Sequence, residues 1–142
     1  MEPFSIAIGD TEITFLPIAA GDFAMGSSRE EIAHAIEEFP HLDKAWFDKE
    51  YPQHDVNVAD FYMAETLVTN AQWKTFMLAN DIANMPRGFH AELPDHPVWG
   101  ITFEELEKFC VWLSEISGKS ISIPTEEQWE KAARGEDERE YP

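Results

Sequence analysis

The chain has 142 residues, 44% of them apolar, with five Trp and ten Phe, and a domain of that size buries roughly 68–70% of its unfolded surface, so a disordered polymer is excluded. With 28 Asp and Glu against 10 Lys and Arg the net charge is -18, which repels phosphate backbones and anionic lipid and disfavours nucleic-acid and membrane partners. Cys110 is the sole cysteine, so no internal disulfide can form.

The N-terminus places no basic residue before its short apolar run. It reads as neither a signal peptide nor a spanning helix, and a cytoplasmic chain is expected. Residues 4–8 and 12–17 read as two short strands around a Gly9-Asp10 turn. In the stretch from Gly21 to Ser27 two glycines frame an alternating Phe23/Met25 strand, without the lysine or glycine spacing of a phosphate cradle. Ser27 or Ser28 can cap a helix over residues 29–39. Ile32, Ile36 and Phe39 mark its buried side, and Glu30 and Glu31 suit its positive end. Residues 41–50 read as an acidic and aromatic loop in which Trp46, Phe47 and the following Tyr51 pack on the domain.

Val56 and Val58 alternate with polar residues as a half-buried strand, which Phe61, Tyr62 and Met63 extend. Thr69 then caps a helix with Gln72 at the capping-box position, and Trp73, Phe76 and Met77 form its inner face. Residues 80–97 hold Asn84, Pro86, Gly88, Pro94 and Pro97 and read as one long loop.

Residues 97–135 organise the rest. Thr102 and Glu105 form a capping box, and Phe103, Leu106, Phe109, Cys110, Trp112, Leu113 and Ile116 fall on one broad apolar side. Gly118 stands at the C-cap. Ile121 and Ile123 alternate with serines as a short strand that Pro124 stops. Thr125 caps the last helix with Gln128, Trp129, Ala132 and Ala133 make its inner face, and Gly135 ends it. The acidic run over residues 136–140 reads as a solvated tail before Tyr141-Pro142.

Few residues ask for chemistry. His90 and His96, with Glu92 and Asp95 between them, could make a carboxylate-histidine site, but the spacing matches no metal motif with a mechanism. His34 falls on the exposed side of its helix, His41 in a loop, and His54 reads as a structural residue bonding to backbone. Cys110 sits on an apolar stripe and reads as a structural thiol rather than a nucleophile. Glu126 and Glu127 occupy a first helical turn, where the dipole explains them.

One pattern is specific. Phe23-x-Met25-Gly26, then Pro52-x-His54, then Thr69-Asn70-x-x-Trp73 lead to Pro97-Val98 and to Phe109-Cys110-x-Trp112-Leu113. The series closes on Pro124-Thr125-Glu126-x-x-Trp129-Glu130-x-x-Ala133-Arg134-Gly135. Together these segments resemble the N-terminal half of the formylglycine-generating enzyme, or sulfatase-modifying factor, family. Thr66 is an insertion relative to that pattern, Ser122-Ile123 replaces its usual Arg-Leu, and Phe103 stands where tryptophan is common.

The resemblance implies an α+β fold of C-type-lectin-like type, with short strands and three or four helices. It implies that residues 1–142 form a single partial domain, truncated on its C-terminal side. It implies membership of a family whose known activity is oxygen-dependent oxidation of a substrate cysteine to formylglycine, using copper held by two cysteines, with structural calcium. Those copper and calcium ligands belong to the family's C-terminal half. No catalytic, cofactor-binding or metal residue is therefore assigned here, and the chain alone is expected to be inactive. Expected partners are a protein or peptide substrate, or a chain supplying the other half. The alternative is a non-catalytic module of the same fold that binds a protein or ligand.

Overall fold

The computed structural model describes residues 1–135. The acidic run over residues 136–140 and the Tyr141-Pro142 end lie outside the described residues. The described chain forms two compact units, one of Met1–Pro17 and Tyr62–Pro124, the other of Ile18–Phe61 together with residues from Thr125 on.

The first unit is built on a three-stranded sheet. Strands β1 (Phe4–Ile8) and β2 (Thr11–Ile18) pair antiparallel across a two-residue turn, with Ile6 opposite Ile13 and Ile8 opposite Thr11. Gly9 holds φ +58 there, a left-handed value that suits a residue without a Cβ. Strand β5 (Phe61–Ala64) lies on the other edge of β2. The pleat sends Ile6, Ile8, Ile13 and Phe15 to one buried face.

That core is shared with two helices, α3 (Asn70–Ala79) and α4 (Phe103–Ser117). Each starts on the capping box its sequence spells, Thr69 with Gln72 and Thr102 with Glu105, and Gly118 ends α4 in the left-handed conformation. Trp73 and Phe76 of α3 meet Phe109 and Trp112 of α4. Trp73 stacks on Phe109 at 5.4 Å, and Phe76 meets the Phe109 ring edge-on at 5.3 Å. Aromatic pairs at such distances contribute about 0.5–1.5 kcal/mol each beyond their buried area.

The broad apolar side expected for α4 is narrower in the structure. Phe109, Trp112 and Leu113 are buried, whereas Phe103 is 64% and Ile116 49% exposed. Phe103 opens the first turn and Ile116 stands in the last, beyond the middle turns that face Trp73 and Phe76. The strand expected at Ile121 and Ile123 is absent. Ile121 N–H donates to Ser114 Oγ at 3.0 Å, while the Ser114 hydroxyl donates to Cys110 O at 2.7 Å with Ile121 O a longer contact at 3.2 Å, so the Ile121 backbone is tied to α4 rather than to a strand.

The second unit holds β3 (Gly21–Met25) paired antiparallel with β4 (His54–Val58), Phe23 opposite Val56 and Met25 opposite His54. Its helix α1 (Arg29–Glu38) is capped by Ser28 in a full box with Glu31. The segment expected to be loop contains a short helix α2 (Lys44–Phe47), started by the Asp43 side chain, and a 3-10 turn over Asp48–Glu50. It brings the described helices to five, against the three or four expected. The last helix, α5 (Glu126–Arg134), begins at the Thr125–Gln128 box.

Trp129 does not anchor α5. It is 63% exposed, and the inward face carries Lys131, 4% exposed, with Glu130 and Arg134. On a helical wheel at about 100° per residue Lys131 and Arg134 lie roughly 160° and 140° from Trp129, and Glu130 flanks them at about 100°. Tertiary hydrogen bonds hold that polar face inward, so Trp129 turns out while Ala132 and Ala133 stay half-buried.

Two stability experiments follow from this packing. In urea unfolding, Leu113→Ala should cost about 2–5 kcal/mol and Trp129→Ala less than about 1 kcal/mol. Gly26 holds φ +83, and a Cβ there would run into the carbonyl oxygen of Glu50. Gly26→Ala should therefore destabilise the chain by about 2 kcal/mol or more.

Candidate functional site

The sequence pattern divides between the two units. In the second unit it converges on the end of β3. Gly26 N–H donates to Glu130 Oε1 at 2.7 Å, and the same oxygen accepts from Arg134 Nε at 3.0 Å. Arg134 also lies 3.9 Å from Glu31. The Ser28 backbone N–H, the Ser28 hydroxyl and then Arg134 hold the Glu31 carboxyl below its ordinary range. Lys131 donates to Gly21 O at 2.8 Å. The Ser27 hydroxyl donates to Glu50 Oε2 at 2.6 Å, and His54 Nδ1 lies 3.0 Å from Pro52 O. Phe23 packs in this unit as a buried residue, Thr125 caps α5, Glu126 occupies its first turn and Ala133 is half-buried.

In the first unit, Asn70 is the buried polar centre, 2% exposed. Its Nδ2 donates to Leu93 O at 2.9 Å, its Oδ1 accepts His90 N–H at 3.1 Å, and its own N–H donates to His96 O at 2.9 Å. One side chain thus folds the loop over residues 88–97 against the start of α3. Val98 N–H continues the attachment to Val68 O at 3.0 Å, and Pro97 bridges Thr69. Trp99 lies across Gly88 so closely that a Cβ there would enter the indole ring. Trp73, Phe109, Trp112 and Leu113 are the core already described, and Pro124 is exposed at the end of this unit.

The histidine loop does not close into a metal cage. His90 Nδ1 lies 3.1 Å from Glu92 Oε1, and His96 is exposed. Among the described residues no group of three or more His, Cys, Asp and Glu could hold a metal ion. Cys110 is half-buried, and its thiol is pushed up by burial and then by the Glu107 carboxylate. A Cu(I) site needs a pair of soft thiolates, and this lone protonated thiol does not fit that donor set.

Three features escaped sequence reasoning. The role of Asn70 had a local signal, an amide directly after an N-cap, but its loop partners lie about twenty residues away. The Glu130–Arg134 pair had the i,i+4 spacing of a helix-surface contact, yet the backbone N–H of Gly26 that completes it is far along the chain. An open groove beside α4, lined by Phe76, Ile82, Val111 and Trp112 with Glu104, Glu107 and Glu115, had no sequence signal at all. No helix among the described residues is long and apolar enough to cross a membrane.

No curated protein matches the sequence. Among solved structures, PvdO from Pseudomonas aeruginosa superposes on the whole of this chain with a TM-score of 0.77 at 19% identity, the match covering 55% of PvdO. Treponema denticola variable protein 1 superposes on 82% of this chain with a TM-score of 0.55 at 20% identity, covering 36% of that protein. The chain thus spans about half the length of PvdO. At such identities the likeness is one of fold, an α+β arrangement of short strands and helices. The sequence profile of the sulfatase-modifying factor enzyme 1-like domain matches residues 9–142, nearly the entire chain. The chain belongs to the sulfatase-modifying factor enzyme 1-like domain family.

Proposed function

We propose that the chain is the N-terminal part of a formylglycine-generating-enzyme-like domain of C-type-lectin-like type, and that its residues frame the domain without carrying the chemistry. The observation behind this reading is that its polar pattern residues are engaged in the framework itself. Asn70 orders a loop, and Glu130 with Arg134 holds the end of β3. The reacting groups of the family, a copper-thiolate pair acting on a substrate cysteine and calcium ligands beside it, lie outside this stretch.

A second reading, a module that binds a protein or ligand without turnover, draws on two exposed indoles, Trp129 at 63% and Trp99 at 57%. Copper-dependent oxygen consumption on a cysteine-containing peptide, assayed with the product of the full reading frame, separates the two. Turnover supports the enzyme reading, and its absence supports the binding module.

For the 142-residue chain itself, titration with Cu(I) against a competing chelator should show no tight one-to-one complex. Such a complex would overturn the assignment of the chemistry to residues outside it. Because burial and Glu107 raise the Cys110 pKa, its thiolate fraction at pH 7–8 is smaller than that of a free thiol. Alkylation with a bulky maleimide should be slower than for a model thiol, and its rate should rise at higher pH. Relieving one cause with Glu107→Gln should shift that pH profile downward.

A further inference from the structure

The groove beside α4 has a volume of about 540 Å³ and lies wholly within the first unit, between the C-terminal end of α3 and one face of α4. Its floor is hydrocarbon. Phe76 and Trp112 reach it from the core, Ile82 also lines it, and Val111 stands 58% exposed to solvent. Its rim is acidic. Glu104, Glu107 and Glu115 line it along α4, and the one rim cation, Lys108, is held by Glu104 at 2.8 Å. Glu107 and Glu115 have no ion pair among the described residues.

An apolar floor with a carboxylate rim selects its occupant by charge. A second copy of the chain is disfavoured, because each copy carries a net charge of -18. A lone metal ion gains nothing from Val111 and Trp112. Lysine and arginine side chains satisfy both surfaces at once, with hydrocarbon stems on the floor and charged heads at the rim. From Glu104 to Glu115 the rim runs about 16 Å along the helix at 1.5 Å per residue, the length of about three helical turns. We propose that this groove docks a basic amphipathic helical segment of a partner protein, its apolar side on Val111 and Trp112 and its cations on Glu107 and Glu115.

The test uses a fluorescein-labelled amphipathic peptide of about twelve residues, one leucine face flanked by lysines, read by anisotropy against the 142-residue chain. Saturable binding is expected, and a peptide with glutamates in place of the lysines should not bind. The surface pair Glu107→Lys/Glu115→Lys should weaken binding about tenfold or more. Glu2→Lys/Glu65→Lys changes the net charge equally at exposed positions outside the groove, and should leave the affinity within about twofold after correction for ionic strength. Val111→Asp, also at an exposed position, should weaken binding while circular dichroism stays unchanged. No binding overturns the proposal. Equal loss in both charge-reversal pairs overturns it too, since the overall field alone would then account for binding. Binding of the glutamate peptide with similar affinity would mark a merely apolar contact and would likewise sink it.

Discussion

Trp73 and Phe109 stack at 5.4 Å, and the first unit is arranged so that they can. Two aromatic rings come into register only if the helices that carry them start at fixed residues. Capping boxes at Thr69 and Thr102 set those starts, and each satisfies backbone donors that would otherwise be lost at a helix end. With the starts fixed, Phe76 and Trp112 fall beside the stacked pair, and Ile6, Ile8, Ile13 and Phe15 of the sheet complete the buried cluster. At the far edge of the same sheet, Phe4 stacks on Phe15 at 5.1 Å and lies under the Lys119 ammonium at 4.3 Å, so a cation just past the end of α4 also covers the edge of the core.

The second unit solves a different problem. Its apolar core is small, with Phe23, Ile32 and Val58 as its buried large residues. Polar groups hold much of the remainder. An interior ammonium such as that of Lys131 must find an acceptor, because an unpartnered buried charge is costly, and Gly21 O supplies one. Glu130 gains two donors, from Gly26 and from Arg134, and charge-assisted bonds of this kind are stronger than neutral ones. Such a unit gets its precision from hydrogen-bond geometry, and Gly26, where a Cβ would meet the Glu50 carbonyl oxygen, has no room for a side chain.

Membership of the sulfatase-modifying factor enzyme 1-like family therefore shows itself here as architecture. The residues that carry the likeness are caps, core aromatics and framework hydrogen bonds. The groove beside α4 has an acidic rim, Glu104, Glu107 and Glu115, that none of them supplies. Its floor borrows Phe76 and Trp112 from the same aromatic cluster, so the packing that stabilises the unit also shapes the groove.

Local physics was legible in the sequence. A capping box closes within four residues, so Thr69–Gln72, Thr102–Glu105 and Thr125–Gln128 could be read directly, and the structure has all three. The β1–β2 hairpin, the alternating strand at Val56 and Val58, and the left-handed Gly118 are local in the same sense. The side of a helix that turns inward is decided by distant partners. Trp129 looked like an anchor because it is large and apolar, yet Gly21 and Gly26, over a hundred residues earlier, turn the opposite face of α5 inward through Lys131 and Glu130. Ile121 and Ile123 had the alternation of a strand, but a strand needs a neighbour, and the Ser114 hydroxyl had already engaged the backbone of Ile121. The sequence by itself determined the capped helix starts, the β1–β2 hairpin and which family they compose, because those signals act over a few residues. Only the tertiary structure decided which faces are buried and where a groove lies, because these depend on contacts between segments far apart in the chain.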